Sequence, residues 1–278
     1  MPRAPAPSDF DAAEARRTIV SFVAGRLREA RAKGIVLGVS GGIDSALVAA
    51  LCAEAVGPRR VLGLLLPAAD SHPRDARDAR LVVDRLGIRS ESVSIEGVLA
   101  AAREACGHRL NDRARANLKA RARMLLLYQH ANALSFVVAG TGNKSEILTG
   151  YFTKFGDGAG DLHPIGDLYK TQVRGLARAM DLPKPVLAKP PTAGLWAGQT
   201  DEKEMGIRYA ELDAVLACIE DGLSREQARA RTGLSAAKVD KVHRMVEQSQ
   251  HKRAGLIVPK IGFRTPGLDW RVPPSRGA

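Results

Sequence analysis

Ile35-Val36-Leu37-Gly38-Val39-Ser40-Gly41-Gly42-Ile43-Asp44-Ser45 is the stretch on which the reading of this chain turns. The run from Ile35 to Val39 is short, apolar and rich in β-branched residues, the pattern of a strand buried on both faces of a parallel sheet. Residues 46–56 resume as an apolar helix. Between them, Gly41 and Gly42 let the backbone turn tightly and approach a ligand closely. The helix that follows aims its positive end at the same point, and Ser40 and Ser45 add hydroxyl groups. Such a turn is a cradle for phosphate or pyrophosphate. It lacks the Gly-Lys-Ser/Thr ending of a Walker loop, so a P-loop NTPase is excluded. Asp44 is negative inside the cradle, which makes sense if it holds Mg2+ rather than phosphate itself.

Outward from this stretch the chain alternates. Residues 9–33 carry Ile19, Phe22, Val23 and Leu27 at helical spacing, with Gly34 as the expected stop. Residues 61–66 read as a second strand, 75–86 as a helix, 90–95 as a third and more polar strand, and 114–133 as a long helix. Residues 135–139 form a fourth strand leading into Gly140-Thr141-Gly142. Alternation of this kind predicts an α/β fold, a Rossmann-like parallel sheet flanked by helices with right-handed crossovers. Beyond a Gly- and Asp-rich loop at 151–166, the pattern is mostly helical: 168–180, 202–221, 225–232 and 236–250, with a Pro/Gly loop at 183–200. Ligands of open parallel sheets bind at the carboxyl ends of the strands, where both glycine turns fall. The expected division is a flexible N-terminal tail at 1–8, a single domain at 9–253 and a C-terminal tail at 254–278.

Composition sets outer bounds. Of 278 residues, 45% are hydrophobic and 26% charged, which excludes a wholly disordered chain. Lys and Arg exceed Asp and Glu by 42 − 30 = +12, a balance compatible with anionic ligands. Three widely spaced cysteines suit no closed disulfide framework and point to a reducing cytoplasm. No run approaches the roughly 20 apolar residues of a membrane span, and the start lacks the apolar stretch of a signal peptide, so no membrane partner is expected. Residues 224–235 followed by 236–246 have the outline of a helix-turn-helix with Gly233 in the turn. The second helix offers few base-reading side chains and the motif leaves 34–200 unexplained, so no nucleic-acid partner is expected either.

Ser40-Gly41-Gly42-Ile43-Asp44-Ser45 after a strand resembles the pyrophosphatase loop of the adenine-nucleotide α-hydrolase-like superfamily. Its members split ATP into AMP and pyrophosphate while adenylating a substrate oxygen. Gly140 to Glu146, Gly150 to Gly158, Asp161 to Ile165 and Asp167 to Lys170 narrow the resemblance, together with Asn117 to Met124, Pro191 to Leu195, Gly198 to Glu202 and His251 to Arg253. In that order they are similar to the ammonia-dependent NAD synthetase family, in register from about Gly34 to Arg253. The resemblance implies a cytoplasmic homodimeric ligase that amidates deamido-NAD with ammonia at the expense of ATP, giving NAD, AMP and pyrophosphate through an adenylated intermediate. It implies ATP contacts from Gly38, Val39, Ser40, Gly41, Gly42, Ile43, Asp44, Ser45, Thr141, Lys170 and Thr192, and Mg2+ ligation by Asp44 and Glu146. It also implies contacts to deamido-NAD from Arg121, Lys154, Asp161, His251 and Lys252.

Lys170 is then the expected stabiliser of the leaving pyrophosphate, and Asp161 the carboxylate that takes a proton from ammonium. Alternatives are another adenylating ligase of the same superfamily and a nucleic-acid-binding protein using the C-terminal helices. No segment outside the matched region is large enough for a glutaminase, so free ammonia is the expected donor. Arg121 on the long helix and His251-Lys252 beyond the last helix are expected to reach one ligand from different subunits of a two-fold dimer. The tail, from Leu256, does not follow the compact endings of the family.

Overall fold

Four short strands, β1 (Gly34–Gly38), β2 (Val61–Leu65), β3 (Arg89–Ser92) and β4 (Phe136–Val138), pair in parallel in the order β3-β2-β1-β4. The computed structural model describes residues 10–192, 200–255 and 257–265. The expected tail at 1–8, the end of the other tail from 266, and the matched residues 193–195, 198 and 199 lie outside the described residues.

Side-chain alternation along β1 divides the interior. Ile35 and Leu37, with Val39 just beyond the strand, enter one core, while Val36 enters another on the opposite face. The first core is closed by α1 (Ala12–Glu29), α2 (Ile43–Val56) and α3 (Pro73–Leu86), and the second by α4 (Glu96–Ala105) and α5 (Asp112–Leu134). After β4 comes the short α6 (Lys144–Thr149). Helices α7 (Lys170–Ala179) and α8 (Lys184–Leu187) return to the first core through Val173, Leu176 and Val186. The remaining helices are α9 (Asp201–Met205), α10 (Tyr209–Glu220), α11 (Arg225–Thr232), α12 (Ala236–Gln248) and α13 (Gln250–Arg253). Residues of α9 to α12 form a third core around Tyr209, Leu212 and Leu216.

The predicted α/β class is borne out; several boundaries are not. The first helix ends at Glu29, where Arg31 takes a positive φ of 52°, and Gly34 opens β1 instead of stopping the helix. A Cβ on Gly34 would meet the Arg60 carbonyl oxygen and the Phe136 ring at 2.5 Å, so close packing decides that glycine. The third strand is Arg89–Ser92, shorter than and displaced from 90–95. The expected helix at 202–221 is two helices, parted at Gly206 in the left-handed region. The helix-turn-helix outline is present as α11 and α12, but Ala228, Val239 and Val242 turn inward to build the third core.

One buried carboxylate ties that third core to the sheet end. Asp213 of α10 is fully buried and accepts from the Ser145 hydroxyl at 2.5 Å and the Thr171 N–H at 2.9 Å. Ser145 in turn accepts from the Lys170 N–H at 2.9 Å. Burial holds the Asp213 carboxyl above the usual aspartate range against these donors. Helix α10 thereby sets the start of both α6 and α7, which carry Glu146 and Lys170.

Replacing Asp213 with alanine strands a buried hydroxyl and a buried N–H at roughly 1–3 kcal/mol each. Urea unfolding of Asp213→Ala should therefore show a loss of about 3 kcal/mol, with Asp213→Asn retaining part of it. The cysteines give an independent check on the packing. Cys52 and Cys218 are buried, and burial pushes the Cys52 thiol up to about 12, whereas Cys106 is exposed. A thiol reagent should consume one group rapidly in the folded protein and three after denaturation.

Candidate active site

A cavity of about 310 Å3 opens at the carboxyl ends of β1, β2 and β4. All of Gly38 to Ser45 except Gly41 lines it, together with Thr141, Glu146, Lys170 and Thr192. Gly42 is the N-cap of α2 and no side chain caps it, so the first-turn N–H groups, which no intrahelical bond can satisfy, are turned to the cavity. The two serines hold the loop in shape. Ser45 Oγ accepts from the Ser40 N–H and donates to the Gly42 carbonyl, both at 3.1 Å, and Ser40 Oγ accepts from the Gly42 N–H at 3.2 Å. Gly41 is glycine for two reasons: its φ is +77°, and a Cβ there would meet the Asp75 carbonyl oxygen of α3 at 2.5 Å.

At the floor of the cavity lies the Lys170 ammonium, 1% exposed. It contacts the Asp44 carboxylate, lies 3.3 Å from Glu146 Oε1 and faces the Tyr209 ring at 5.2 Å. Burying a lone ammonium costs several kcal/mol, which two adjacent carboxylates can offset. Burial lowers the lysine, but Asp44 and Glu146 outweigh it, and the ammonium stays charged well above the ordinary lysine range. Burial pushes the Glu146 carboxyl up; Lys170 pulls it back only in part, and Asp44 adds to the rise. Asn143 aligns the two acids. Its Nδ2 donates to Asp44 Oδ1 at 2.9 Å, while its Oδ1 and N–H form a reciprocal cap with Glu146.

Among the described residues, no cluster of three or more acidic, histidine or cysteine side chains is arranged to hold a metal ion. Asp44 and Glu146 are nevertheless close enough to share one cation, Lys170, beside the anion loop. Two carboxylates completed by phosphate oxygens and water are the donor set that suits Mg2+. The residues present therefore fit the ion as a companion of a bound phosphate.

The five residues expected at deamido-NAD are not among those lining the cavity. Four of them converge elsewhere within one chain. Arg121 donates to the Lys154 carbonyl at 3.3 Å, and Lys154 Nζ donates to the His251 carbonyl at 2.8 Å. Lys252 donates to the Gly150 and Phe152 carbonyls at 2.6 Å each, so it braces the turn next to Lys154. Arg121 and His251-Lys252, expected to reach one ligand from different subunits, both contact the 150–154 turn of a single chain from α5 and α13. The cavity borders this group, because Ala120, Arg123 and Met124 of α5 and Tyr151, Gly156 and Asp157 of the loop line it.

Asp161 stands apart. Its Oδ2 accepts from the Val138 N–H at 2.7 Å and its Oδ1 from the Tyr128 hydroxyl at 3.3 Å, so it ties the loop to β4. Asp157 opens onto the cavity, ringed by protein atoms that raise its pKa above the usual aspartate range despite the Thr153 N–H at 2.8 Å. Sequence reasoning missed Asp157, although it lies in the matched Gly156-Asp157-Gly158 segment, and Asn143, which lies in the matched segment before Glu146. It also missed Lys189 and Asp213, for which no local pattern gives a signal.

The fold and site define a parallel α/β protein with a cavity at its strand ends, lined by a glycine loop and an uncapped helix start. Residues 15–255 match the family described as NAD synthase. An NH(3)-dependent NAD(+) synthetase of Methanosarcina acetivorans is 46% identical over 256 residues, covering 91% of this chain and 99% of that relative. A solved NMN synthetase from Francisella tularensis superposes with a TM-score of 0.79 at 35% identity, covering 91% of this chain and all of that one. The NH3-dependent NAD synthetase from Campylobacter jejuni, solved in complex with nitrate, gives 0.76 at 27% identity, covering 90% of this chain and 100% of that one. The chain belongs to the NAD synthase family.

Lys170→Met would leave Asp44 and Glu146 facing each other without the shared cation. Glu146 would then keep its proton to higher pH in the folded state than in the unfolded one. Between those two values unfolding releases a proton, so stability falls as pH rises. Melting the ligand-free variant at pH 5 and pH 8 should show a drop in midpoint several degrees larger than in the parent protein.

Proposed function

We infer that this chain is a ligase that amidates deamido-NAD with ammonia, consuming ATP and forming NAD, AMP and pyrophosphate. The observation that carries this reading is the buried Lys170 ammonium, shared by Asp44 and Glu146 at the mouth of an uncapped helix, in a chain of the NAD synthase family. A carboxylate is a poor acyl electrophile and must first become a mixed anhydride. Its oxygen attacks the α-phosphorus of ATP, pyrophosphate departs, and ammonia then displaces AMP. Negative charge builds on the phosphoryl oxygens and the leaving pyrophosphate. The first-turn N–H groups of α2 and the permanently charged Lys170 are already oriented toward that charge, so little reorganisation is needed. When bound by Asp44 and Glu146, Mg2+ would supply further neutralisation of the phosphates.

Ammonium must lose a proton before it attacks. The role first given to Asp161 fits Asp157 better, because Asp157 lines the cavity and the protein atoms around it hold its carboxyl above the usual aspartate range. Asp161, held by Val138 and Tyr128, instead positions the loop. The Arg121, Lys154 and His251 group is the proposed contact for the dinucleotide. A homodimer, retained from the resemblance, would place a second copy beside that group, and a reducing cytoplasm suits three free thiols.

One incubation tests the reading. With ATP, Mg2+, deamido-NAD and ammonium, NAD and AMP should form in equal amounts, and glutamine should not replace ammonium. Nicotinate mononucleotide belongs in the same assay, because one matched structure is an NMN synthetase; faster turnover of the mononucleotide would transfer the substrate assignment to it. Asp44→Asn and Glu146→Gln should each lower adenylation by 100-fold or more, about 3 kcal/mol of lost charge stabilisation. Asp157→Asn should slow amidation by about 100-fold and flatten its pH profile, whereas Asp161→Asn should leave that profile in place.

A further inference from the structure

We propose that Lys189 is a positioning residue of the anion loop, holding the Gly41–Gly42 peptide in the orientation that keeps the Gly42 N–H on Ser40 Oγ and leaves the first-turn N–H groups of α2 open to the triphosphate. The proposal rests on the nucleotide reading above. Lys189 lies about 150 residues after the loop, just beyond α8 and before Pro190-Pro191-Thr192. Its ammonium donates to the Gly41 carbonyl oxygen at 3.2 Å and pairs with Asp75 at 2.5 Å and Asp78 at 3.1 Å. A lysine has three N–H donors, and these three partners engage all of them. Lys189 lines the cavity as Lys170 does, but its donors are all spent on the scaffold.

The mechanics follow from the peptide unit. It is planar and trans, so a carbonyl held on one side turns its N–H to the other, here onto Ser40 Oγ. Gly41 has no side chain to restrain that unit, and its φ of +77° is one of several conformations open to glycine. The wall of α3 limits how far the loop can move, since a Cβ on Gly41 would strike the Asp75 carbonyl oxygen. A wall does not select the direction of a carbonyl; a hydrogen bond does. Lys189 provides it at the carbonyl end, as Ser40 Oγ does at the N–H end, and Asp75 and Asp78 fix the lysine. Two residues further on, the Pro191 carbonyl accepts from the Asp201 N–H at 3.1 Å, which ties the segment carrying Thr192 to α9.

The test uses the full chain with Lys189→Met, Lys189→Arg, Asp78→Asn and the Lys189→Met/Asp78→Asn pair. ATP binding is measured by calorimetry and steady-state kinetics are run with each substrate varied. Lys189→Met should weaken ATP binding at least tenfold and lower kcat/KM for ATP by about 10–100-fold, the scale of a small misplacement of reacting groups. The KM values for ammonium and deamido-NAD should stay within about twofold. Lys189→Arg should recover most of the loss, and the double variant should lose no more than Lys189→Met alone, because lysine and aspartate act as one unit. ATP binding by Lys189→Met equal to the parent, losses that multiply in the double variant, or equal losses toward all three substrates would each overturn the proposal. A parent protein that binds no ATP would overturn the nucleotide reading itself, whatever the variants do.

Discussion

The arrangement of this protein depends on one buried cation. Lys170 has almost no contact with solvent, yet it must stay charged, and it can do so only between Asp44 and Glu146. Those three side chains come from α7, α2 and α6, elements that follow β1, β4 and the Gly- and Asp-rich loop. Desolvating an ammonium is expensive enough that the three helix starts are obliged to meet. Asn143 and Asp213 make the meeting specific, one by bonding Asp44 and capping α6, the other by fixing the first turns of α6 and α7 from below. The result is a charged pocket prepared before any ligand arrives, the condition under which electrostatic stabilisation needs least rearrangement.

Around this centre, cations fall into distinct physical roles. Lys170 faces the cavity. Lys252 spends its donors on the carbonyls of the 150–152 turn, and burial lowers its pKa. Lys189 spends its donors on two aspartates and a loop carbonyl. The excess of +12 is therefore a poor guide to ligand contacts, because part of it is consumed in holding loops. The C-terminal helices make the same point: a helix-turn-helix outline plus positive charge suggested a nucleic-acid surface, but the apolar face of the pair closes a core.

Much of the fold was legible in advance for a local reason. Strands buried on both faces are short continuous apolar runs, and Ile35 to Val39 and Val61 to Leu66 carry that pattern whatever surrounds them. The anion loop was legible because a tight turn before a helix needs small residues at fixed places, and Gly41 and Gly42 supply them. Boundaries were less legible. Gly34 has the look of a helix stop, yet it is glycine because Arg60 and Phe136 leave no room for a Cβ, which no local pattern records.

The sequence by itself determined the parallel sheet and the glycine cradle at its strand ends with Asp44 inside it, because these are written in residue type and short spacing; Glu146 and Lys170 stood out only through the family resemblance. Tertiary structure alone decided which groups face the cavity and which serve as braces. Asp157 and Asp161 are separated by four positions in one glycine-rich loop and look alike in sequence. Asp161 is held by the Val138 N–H and the Tyr128 hydroxyl, whereas Asp157 accepts from the Thr153 N–H and lines the cavity, so the two carboxylates part in position. Arg121 and His251 are 130 positions apart and meet within one chain at Lys154, whose carbonyl accepts from Arg121 and whose ammonium donates to the His251 carbonyl. Lys189 reaches Gly41 across 148 positions. Partners so distant in the chain are chosen by packing, since a hydrogen bond depends on ångströms in space and not on separation along the backbone.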